Sequence, residues 1–399
     1  MFFDGGVKLA NTFLILNGTI VNHDQVPFDG DVFIENGRIK RVGKALTVVA
    51  DQVINAKGKG WLLFPGYIDM HIHGSSGNDA MDATDDALHN LAHSLVKEGV
   101  TSFLATTMTQ AGSAIEKALA NIALYENDEN EAELLGVHVE GPYISSLRAG
   151  AQPIEYIKLP SIKQFNRWQE LSGERIKQIT IAPEIEGGFE FIEELSKQGI
   201  VVSIGHSDAT TEEVEKAVQL GAKQATHLFN QMRPFHHREP GVVGSVLVED
   251  NVKVEVIVDF VHSHPKAVEL AYRSKGASGL ILITDAMRAK GLSYGEYDLG
   301  GQTVSVTKTG AHLSSGALAG SVLTMELAVK NMQTVTNCSL QELVAMSSTN
   351  AAEQLQLATK GCIAEGYDAD FVILDQQLNV QKTICRGKVV FESPEEEKL

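Results

Sequence analysis

Apolar residues along this chain fall into short runs, and the texture between the runs changes twice. From 13 to 58 the stretches FLILNGTIVNH and DVFIENGRIKRVG read as strands, the second broken by Asn36-Gly37, a dipeptide suited to a type I′ hairpin. From 361 to 392 the same texture returns in GCIAEGYDADFVILD and VQKTICRGKVVFE. Between these ends, apolar runs recur, each followed by a helix-like segment such as SAIEKALANIALYEN or TTEEVEKAVQLGA. The runs are WLLFPGYIDMHIHG, VTSFLATT, ELLGVHVEG, QITIAPE, IVVSIGHS, QATHLFN, VKVEVIVDF and GLILITDAM. Continuous apolar strands are expected where a parallel sheet is covered on both faces. Eight of them in strand–helix alternation predict an α/β fold, a (β/α)8 TIM barrel. An open doubly wound sheet is the alternative that strand counting leaves. The β-rich ends predict one small β-sandwich domain built from both termini, residues 1–58 with 356–399, beside a barrel of residues 59–355. The final SPEEEKL reads as a solvated acidic tail.

Composition narrows the function classes. The 399 residues suffice for one large domain and a smaller companion, and 43% hydrophobic with 21% charged residues is ordinary for a globular protein. No apolar run approaches the length of a membrane helix, and MFFDGGVKLANT lacks the pattern of a secretory signal. Cys338, Cys362 and Cys385 form no CxxC pair, which fits a reducing compartment, so a cytoplasmic protein is expected. A net charge of −18, from 33 basic and 51 acidic residues, repels nucleic acid and anionic membrane, so neither is expected as a partner. Against that field the basic segment RPFHHR at 233–238 stands out.

The chemistry lies in where His, Asp and Glu fall. His71 and His73 end the first run, Glu140 the third, His206 the fifth, His227 the sixth and Asp285 the eighth. All six are at carboxyl ends of predicted strands, the face where barrel enzymes place their chemistry. Residues i and i+2 of a strand share a side, so His71 and His73 point together. Imidazoles converging with carboxylates suit Zn²⁺ or Fe²⁺. A lone HxH, GH or TH is weak, and each alone reads as a structural histidine. Their register at the ends of separate strands is what favours a metal site. His89 and His93 have helical i, i+4 spacing, but Asn90 stands where HExxH needs Glu, so they read as decoration of a helix face. His138 reads as barrel filling or support for the ligands, and His23 and His312 carry no pattern.

With those residues assembled, the chain resembles the amidohydrolase superfamily and, within it, the N-acetylglucosamine-6-phosphate deacetylase family. PGYIDMHIHG, VEGPY, GHSDAT, THLFNQM, HREPG, VDFVHSHP, TDAM and ALAGS carry the resemblance over nearly the whole length. HxH alone indicates only the superfamily; EGPY, THLFNQM, HREPG and LAGS are the specific part. The resemblance implies hydrolysis of N-acetyl-D-glucosamine 6-phosphate to D-glucosamine 6-phosphate and acetate, in amino-sugar catabolism and cell-wall sugar recycling. It implies one or two divalent ions per subunit, zinc or iron. Glu140, His206 and His227 match the main metal ligands. His71 and His73, with Asp285 nearby, match a second site that Glu140 would bridge. Asp285 matches the catalytic acid/base. Ala151, Gln152, Asn230, Gln231, His237, Arg238, His262, Leu318, Ala319 and Gly320 match substrate-contacting positions. The implied partner is a phosphorylated amino sugar, and the basic segment predicts a homodimer in which His237 and Arg238 complete the neighbour's phosphate pocket.

One departure stands out: Gln152, in RAGAQP, occupies a position where some family members carry a His that contacts the acetyl carbonyl. Glutamine donates a hydrogen bond but cannot become cationic. Either metal polarisation carries more of the load, or Gln152 does the same task more weakly. A bound divalent ion lowers the pKa of water from about 15.7 toward roughly 7, supplying hydroxide, and Asp285 can shuttle the protons. Two rivals are weighed. Many cyclic-amide hydrolases bridge two metals with a carboxylated lysine on the fourth strand, but QITIAPE has no lysine at its carboxyl end and Glu140 on the third strand can take that role. A barrel that kept its fold and lost its chemistry should have lost a ligand or Asp285, and none is missing. No GxxxxGK[ST] loop supports nucleotide binding.

Overall fold

The computed structural model describes residues 11–394; the first ten residues and the last five of the acidic tail lie outside them. Eight parallel strands follow one another around the main sheet in chain order. They are β1 (Tyr67–Ile72), β2 (Val100–Thr107), β3 (Glu133–Glu140), β4 (Ile176–Ile181), β5 (Val201–Ile204), β6 (Gln224–Ala225), β7 (Lys253–Ile257) and β8 (Leu280–Ile283). The last strand meets the first: Asp285 N–H donates to the His71 carbonyl at 2.8 Å, and Thr284 Oγ1 to Asp69 Oδ2 at 2.6 Å. The sheet is therefore a (β/α)8 barrel, not an open sheet. The helices after the strands are α1 (Asp85–Leu95), α2 (Gly112–Leu124), α3 (Ile162–Leu171), α4 (Gly188–Lys197), α5 (Thr211–Gln219), α6 (Gly241–Val248), α7 (Pro265–Lys275) and α8 (Met325–Thr336). Local chemistry starts several of them. Thr84, Ser161 and Thr324 accept from amides of the first turn, and Thr210 with Glu213 forms a capping box.

The strands differ from their expected all-apolar character. Outward side chains such as Ile68, Met70, Val137, Val139, Ile179 and Val254 pack in one large core with the helices. The alternate positions Asp69, His71, His138, Gln178, Thr180, Ser203, Gln224 and Glu255 are buried and polar. Hydrogen bonds join strands that are not neighbours in the barrel, for instance Gln178 Nε2 to Glu255 Oε1 at 2.7 Å and Thr180 Oγ1 to Thr226 Oγ1 at 2.8 Å. Such bonds run through the interior. Buried polar groups need partners, and these provide them for one another.

The first predicted run divides between two sheets. Leu62–Pro65 pairs with Thr12–Ile20 and Phe371–Leu374 in the small sheet, while Tyr67–Ile72 opens the barrel. The small sheet has eight strands drawn from both ends of the chain. Phe13, Ile15, Val32, Leu63, Phe371 and Ile373 meet in its own core, whereas Phe64, Val372 and Leu374, one residue out of phase, face the barrel core. This is the small β-sandwich domain. Asn36 and Gly37 both have positive φ (52° and 75°), as a type I′ turn requires. At the seam, Lys360 Nζ lies 2.7 Å from Glu133, 3.1 Å from Asp368 and 2.6 Å from Asp370. A further departure is a three-stranded antiparallel sheet, Gly295–Leu299, Gln302–Thr307 and Gly310–Leu313, inserted between β8 and α8.

Candidate metal centre and active site

Three of the six strand-end residues sit where the backbone leaves the strand. His206, His227 and Asp285 have φ of 47°, 33° and 48°, a left-handed conformation rare outside glycine. That turn swings each side chain over the barrel mouth, and strain of this kind persists where surrounding structure holds it. It also explains why the run QATHLFN gives only a two-residue strand: His227, Phe229 and Gln231 all have positive φ.

The six side chains converge. Glu140 Oε1 lies 3.3 Å from His206 Nε2, 3.1 Å from His227 Nε2 and 3.5 Å from His71 Nε2. Its other oxygen is 3.3 Å from His73 Nε2. Asp285 Oδ1 is 3.3 Å from His73 Nε2 and 3.5 Å from His71 Nε2. Glu140, His206 and His227 thus form one group spaced for a cation, and His71, His73 and Asp285 another.

Neighbouring groups decide which nitrogens face this space. A carbonyl can only accept, so the 2.8 Å contact between His206 Nδ1 and the Arg148 carbonyl puts the proton on Nδ1 and turns Nε2 toward Glu140. Glu255 does the same for His71, accepting from Nδ1 at 2.9 Å while holding bonds from Gln178 and Gln224 at 2.7 and 2.6 Å. A carboxylate behind a ligating histidine is the arrangement that orients metal ligands. His71 Nε2 is buried and has no hydrogen-bond partner, and the Nε2 atoms of His206 and His227 face each other at 3.1 Å. Two nitrogen lone pairs and a carboxylate aimed at one point suit a divalent cation, so the residues fit the metal ions that the sequence implies.

The crowding of acids and imidazoles shifts their titration. Burial pushes Glu140 up, but His71 and hydrogen bonds from His206, His227 and His73 hold it well below the usual carboxylate range. Asp285 is likewise lowered against its burial by His71 and His73. Burial disfavours charge on His71, yet Asp285, Glu140 and Glu255 together raise it to about 9. His138 is pushed well below its ordinary value by burial and by His71. It packs edge-on to His71 with ring centroids 4.5 Å apart and bonds Thr180 at 2.7 Å, beneath the ligands.

A cavity of about 280 Å³ opens over the centre. Ala151, Gln152, Asn230, Gln231, His262, Leu318 and Gly320 line it beside His73, Glu140, His206, His227 and Asp285. Ala319 is fully buried beneath that wall. Ser321 N–H donates to the Asp285 carbonyl at 2.7 Å and so anchors the turn before it. His262 is oriented by Asp259, whose Oδ2 lies 2.7 Å from Nδ1. The inserted sheet closes one side through Leu299, and Gln302 Nε2 reaches the Ala151 carbonyl at 2.6 Å.

His237 and Arg238 are exposed and do not line this cavity. Arg238 contacts His237 Nε2 at 2.9 Å and does not pair with Glu239, which bonds Thr211 instead. Arg233 is committed to Asp208, with bonds of 2.6 and 2.9 Å. His89 and His93 surround the buried Glu131, at 2.9 and 3.2 Å, well away from the barrel mouth.

Glu255, Gln178, Gln224 and Asp69 were missed by sequence reasoning. The signal was present in VKVEVIV and YIDMHIH, where the acids Glu255 and Asp69 interrupt apolar strands at the phase of the interior face.

Comparison with known proteins agrees with this geometry. The amidohydrolase family pattern matches residues 62–390. The chain is 55% identical to an N-acetylglucosamine-6-phosphate deacetylase of Lysinibacillus sphaericus, over 95% of this chain and 97% of that protein. It is 44% identical to the Bacillus subtilis (strain 168) protein of the same name, over 98% and 100%. Among solved structures, a mutant N-acetyl-D-glucosamine-6-phosphate deacetylase from Mycobacterium smegmatis, in complex with N-acetyl-D-glucosamine-6-phosphate, superposes with a TM-score of 0.88 at 30% identity, covering 96% of this chain and 99% of that one.

Proposed function

Because the chain belongs to the amidohydrolase family, among the N-acetylglucosamine-6-phosphate deacetylases, we propose that its barrel mouth is the seat of that reaction, with the roles below. The protein hydrolyses N-acetyl-D-glucosamine 6-phosphate to D-glucosamine 6-phosphate and acetate, a step of amino-sugar metabolism. The observation that carries the site assignment is the convergence of Glu140, four histidines and Asp285 at the carboxyl ends of separate strands.

Glu140, His206 and His227 would hold one divalent ion, zinc or iron, and His71, His73 and Asp285 a second, with Glu140 between them. When bound, such ions make water nucleophilic at neutral pH and polarise an amide carbonyl. Asp285 takes the proton of the attacking water and returns it to the amide nitrogen as the C–N bond breaks, so the amine leaves neutral. Its position against His71 and His73 supports this, because a carboxylate held ionised can accept that proton. Asn230, Gln231, His262 and the Leu318–Gly320 turn hold the sugar. His262 presents Nε2 to the cavity because Asp259 accepts from Nδ1.

The working unit is a homodimer in which His237 and Arg238 reach the neighbour's phosphate. Two features support it. Arg238 is exposed with no carboxylate partner among the described residues. Three residues before it in the chain, Phe235 joins Phe229, Leu247, Val248 and Leu270 in an apolar groove, with Phe235 63% and Val248 79% exposed. Exposed apolar patches of this sort mark association surfaces. The three cysteines are unpaired, which supports a cytoplasmic setting.

The test is acetate release from N-acetylglucosamine with and without the 6-phosphate, alongside mass in solution. Arg238→Ala should raise KM for the phosphorylated sugar by about 1.5–3 kcal/mol of lost charge-assisted bonding while leaving the unphosphorylated sugar unchanged. Equal losses on both sugars would contradict the phosphate role, and an active monomer would contradict the shared pocket.

A further inference from the structure

Gln152 lies in the loop after β3, 6% exposed, and its side-chain amide is fully oriented by two contacts. Its Oε1 accepts from Thr109 N–H at 2.7 Å, and its Nε2 donates to Glu140 Oε2 at 2.7 Å. A backbone N–H can only donate and an ionised carboxylate can only accept, so the amide cannot be reversed. Thr109 is itself held close to the Glu140 strand. Gly141, at φ 75°, leaves no room for a Cβ, which would stand 2.0 Å from Thr109 Oγ1.

The two oxygens of Glu140 serve different neighbours. Oε1 lies nearest His227 and His206, at 3.1 and 3.3 Å, with His71 Nε2 further off at 3.5 Å, while Oε2 faces His73 and Gln152. A carboxylate oxygen has two lone pairs, so Gln152 occupies one on Oε2 and leaves the other toward His73 and Asp285. Without that bond the carboxylate is free to rotate and give both oxygens to one cation. The donor's neutrality matters too. A cation at 152 would stand against two divalent ions, whereas an amide holds Glu140 without adding charge.

We propose that Gln152 is a positioning residue for Glu140, fixing the carboxylate so that each oxygen serves a separate cation position, rather than a group that polarises the acetyl carbonyl. This rests on the two-ion reading of the site. The second amide hydrogen of Gln152 is left to the cavity it lines, so a carbonyl contact is the rival that a test must separate.

The discriminating variant is Gln152→Met, which keeps length and bulk and removes the hydrogen bonds. Metal-free wild type and variant are titrated with Co²⁺ without sugar, following stoichiometry and the absorption of each bound ion, and kcat and KM are then measured at saturating metal. The expected result is a second-ion Kd raised by about 10- to 100-fold with the first-ion Kd unchanged, and a fall in kcat that shrinks as metal is added. Unchanged binding of both ions with a fall in kcat that metal does not restore would overturn the proposal in favour of the carbonyl contact. Unchanged binding and unchanged kinetics would reduce Gln152 to packing. If Gln152→Met fails to fold, Gln152→Ala is read in the same way. A wild type that takes up a single ion would overturn the two-ion reading, and this proposal with it.

Discussion

At the seam between barrel and small domain, Glu133, Asp368 and Asp370 converge within the same limits as Glu140, His206 and His227 do at the mouth. The two clusters differ in what fills them. Lys360 reaches into the seam and contacts all three acids, its side chain 6% exposed. Burial opposes that charge, but Asp370 and Glu133 hold the lysine above its ordinary value. At the mouth no lysine or arginine enters among the described residues. The buried carboxylates are offset only by histidines whose free nitrogens face one another. Convergent acids are therefore not sufficient to mark a metal centre. What distinguishes the mouth is that its carboxylates face imidazoles, which can ligate a cation once neutral, where those of the seam face a fixed ammonium.

The largest effect that would sharpen this contrast is at Asp285. Asp285→Asn should leave the fold and the ion at Glu140, His206 and His227 in place while lowering turnover by about 10²- to 10⁴-fold, the usual cost of losing an acid/base group. Steady-state kinetics on folded, metal-loaded protein decide it. Turnover close to wild type would remove Asp285 from catalysis. The seam should fail differently. Lys360→Met leaves Glu133 and the buried Asp370 without their cation, Asp368 keeping Arg38, and should destabilise the fold by about 3–5 kcal/mol, the range for breaking a buried pair. Denaturant unfolding measures this, and metal uptake at the mouth should be unchanged in the folded variant. A Lys360 variant as stable as wild type would break the comparison.

The sequence made the frame legible because the fold's periodicities are local. Eight runs became eight barrel strands, and TTEEVEKAVQLGA became a helix with the cap that its own Thr210 and Glu213 form. The mouth was legible for a related reason. Strand-end histidines and acids point the same way whatever the distance between strands, so His71, His73, Glu140, His206, His227 and Asp285 converge as expected. What was hidden depends on contacts across the barrel. Glu255 looks like a stray charge in VKVEVIV until His71, Gln178 and Gln224 are brought to it from three other strands. The WLLFP stretch is apolar whichever sheet it joins, so its pairing with Phe371–Leu374 could not be read locally. The inserted sheet at 295–313 has alternating residues in QTVSVT, a strand signal passed over between the TDAM and ALAGS motifs. The role of Gln152 rests on Thr109, 43 residues earlier in the chain.

The most direct measurement is metal content, since the account holds that the mouth is incomplete without cations that the protein does not supply. Wild type and a His71→Asn/His73→Asn double variant, purified without added metal and then equilibrated with excess Zn²⁺ and desalted, are compared by elemental analysis. Wild type should hold about two ions per chain, as in two-metal hydrolases, and the double variant about one, held by Glu140, His206 and His227. A double variant that retains as much metal as wild type would contradict it.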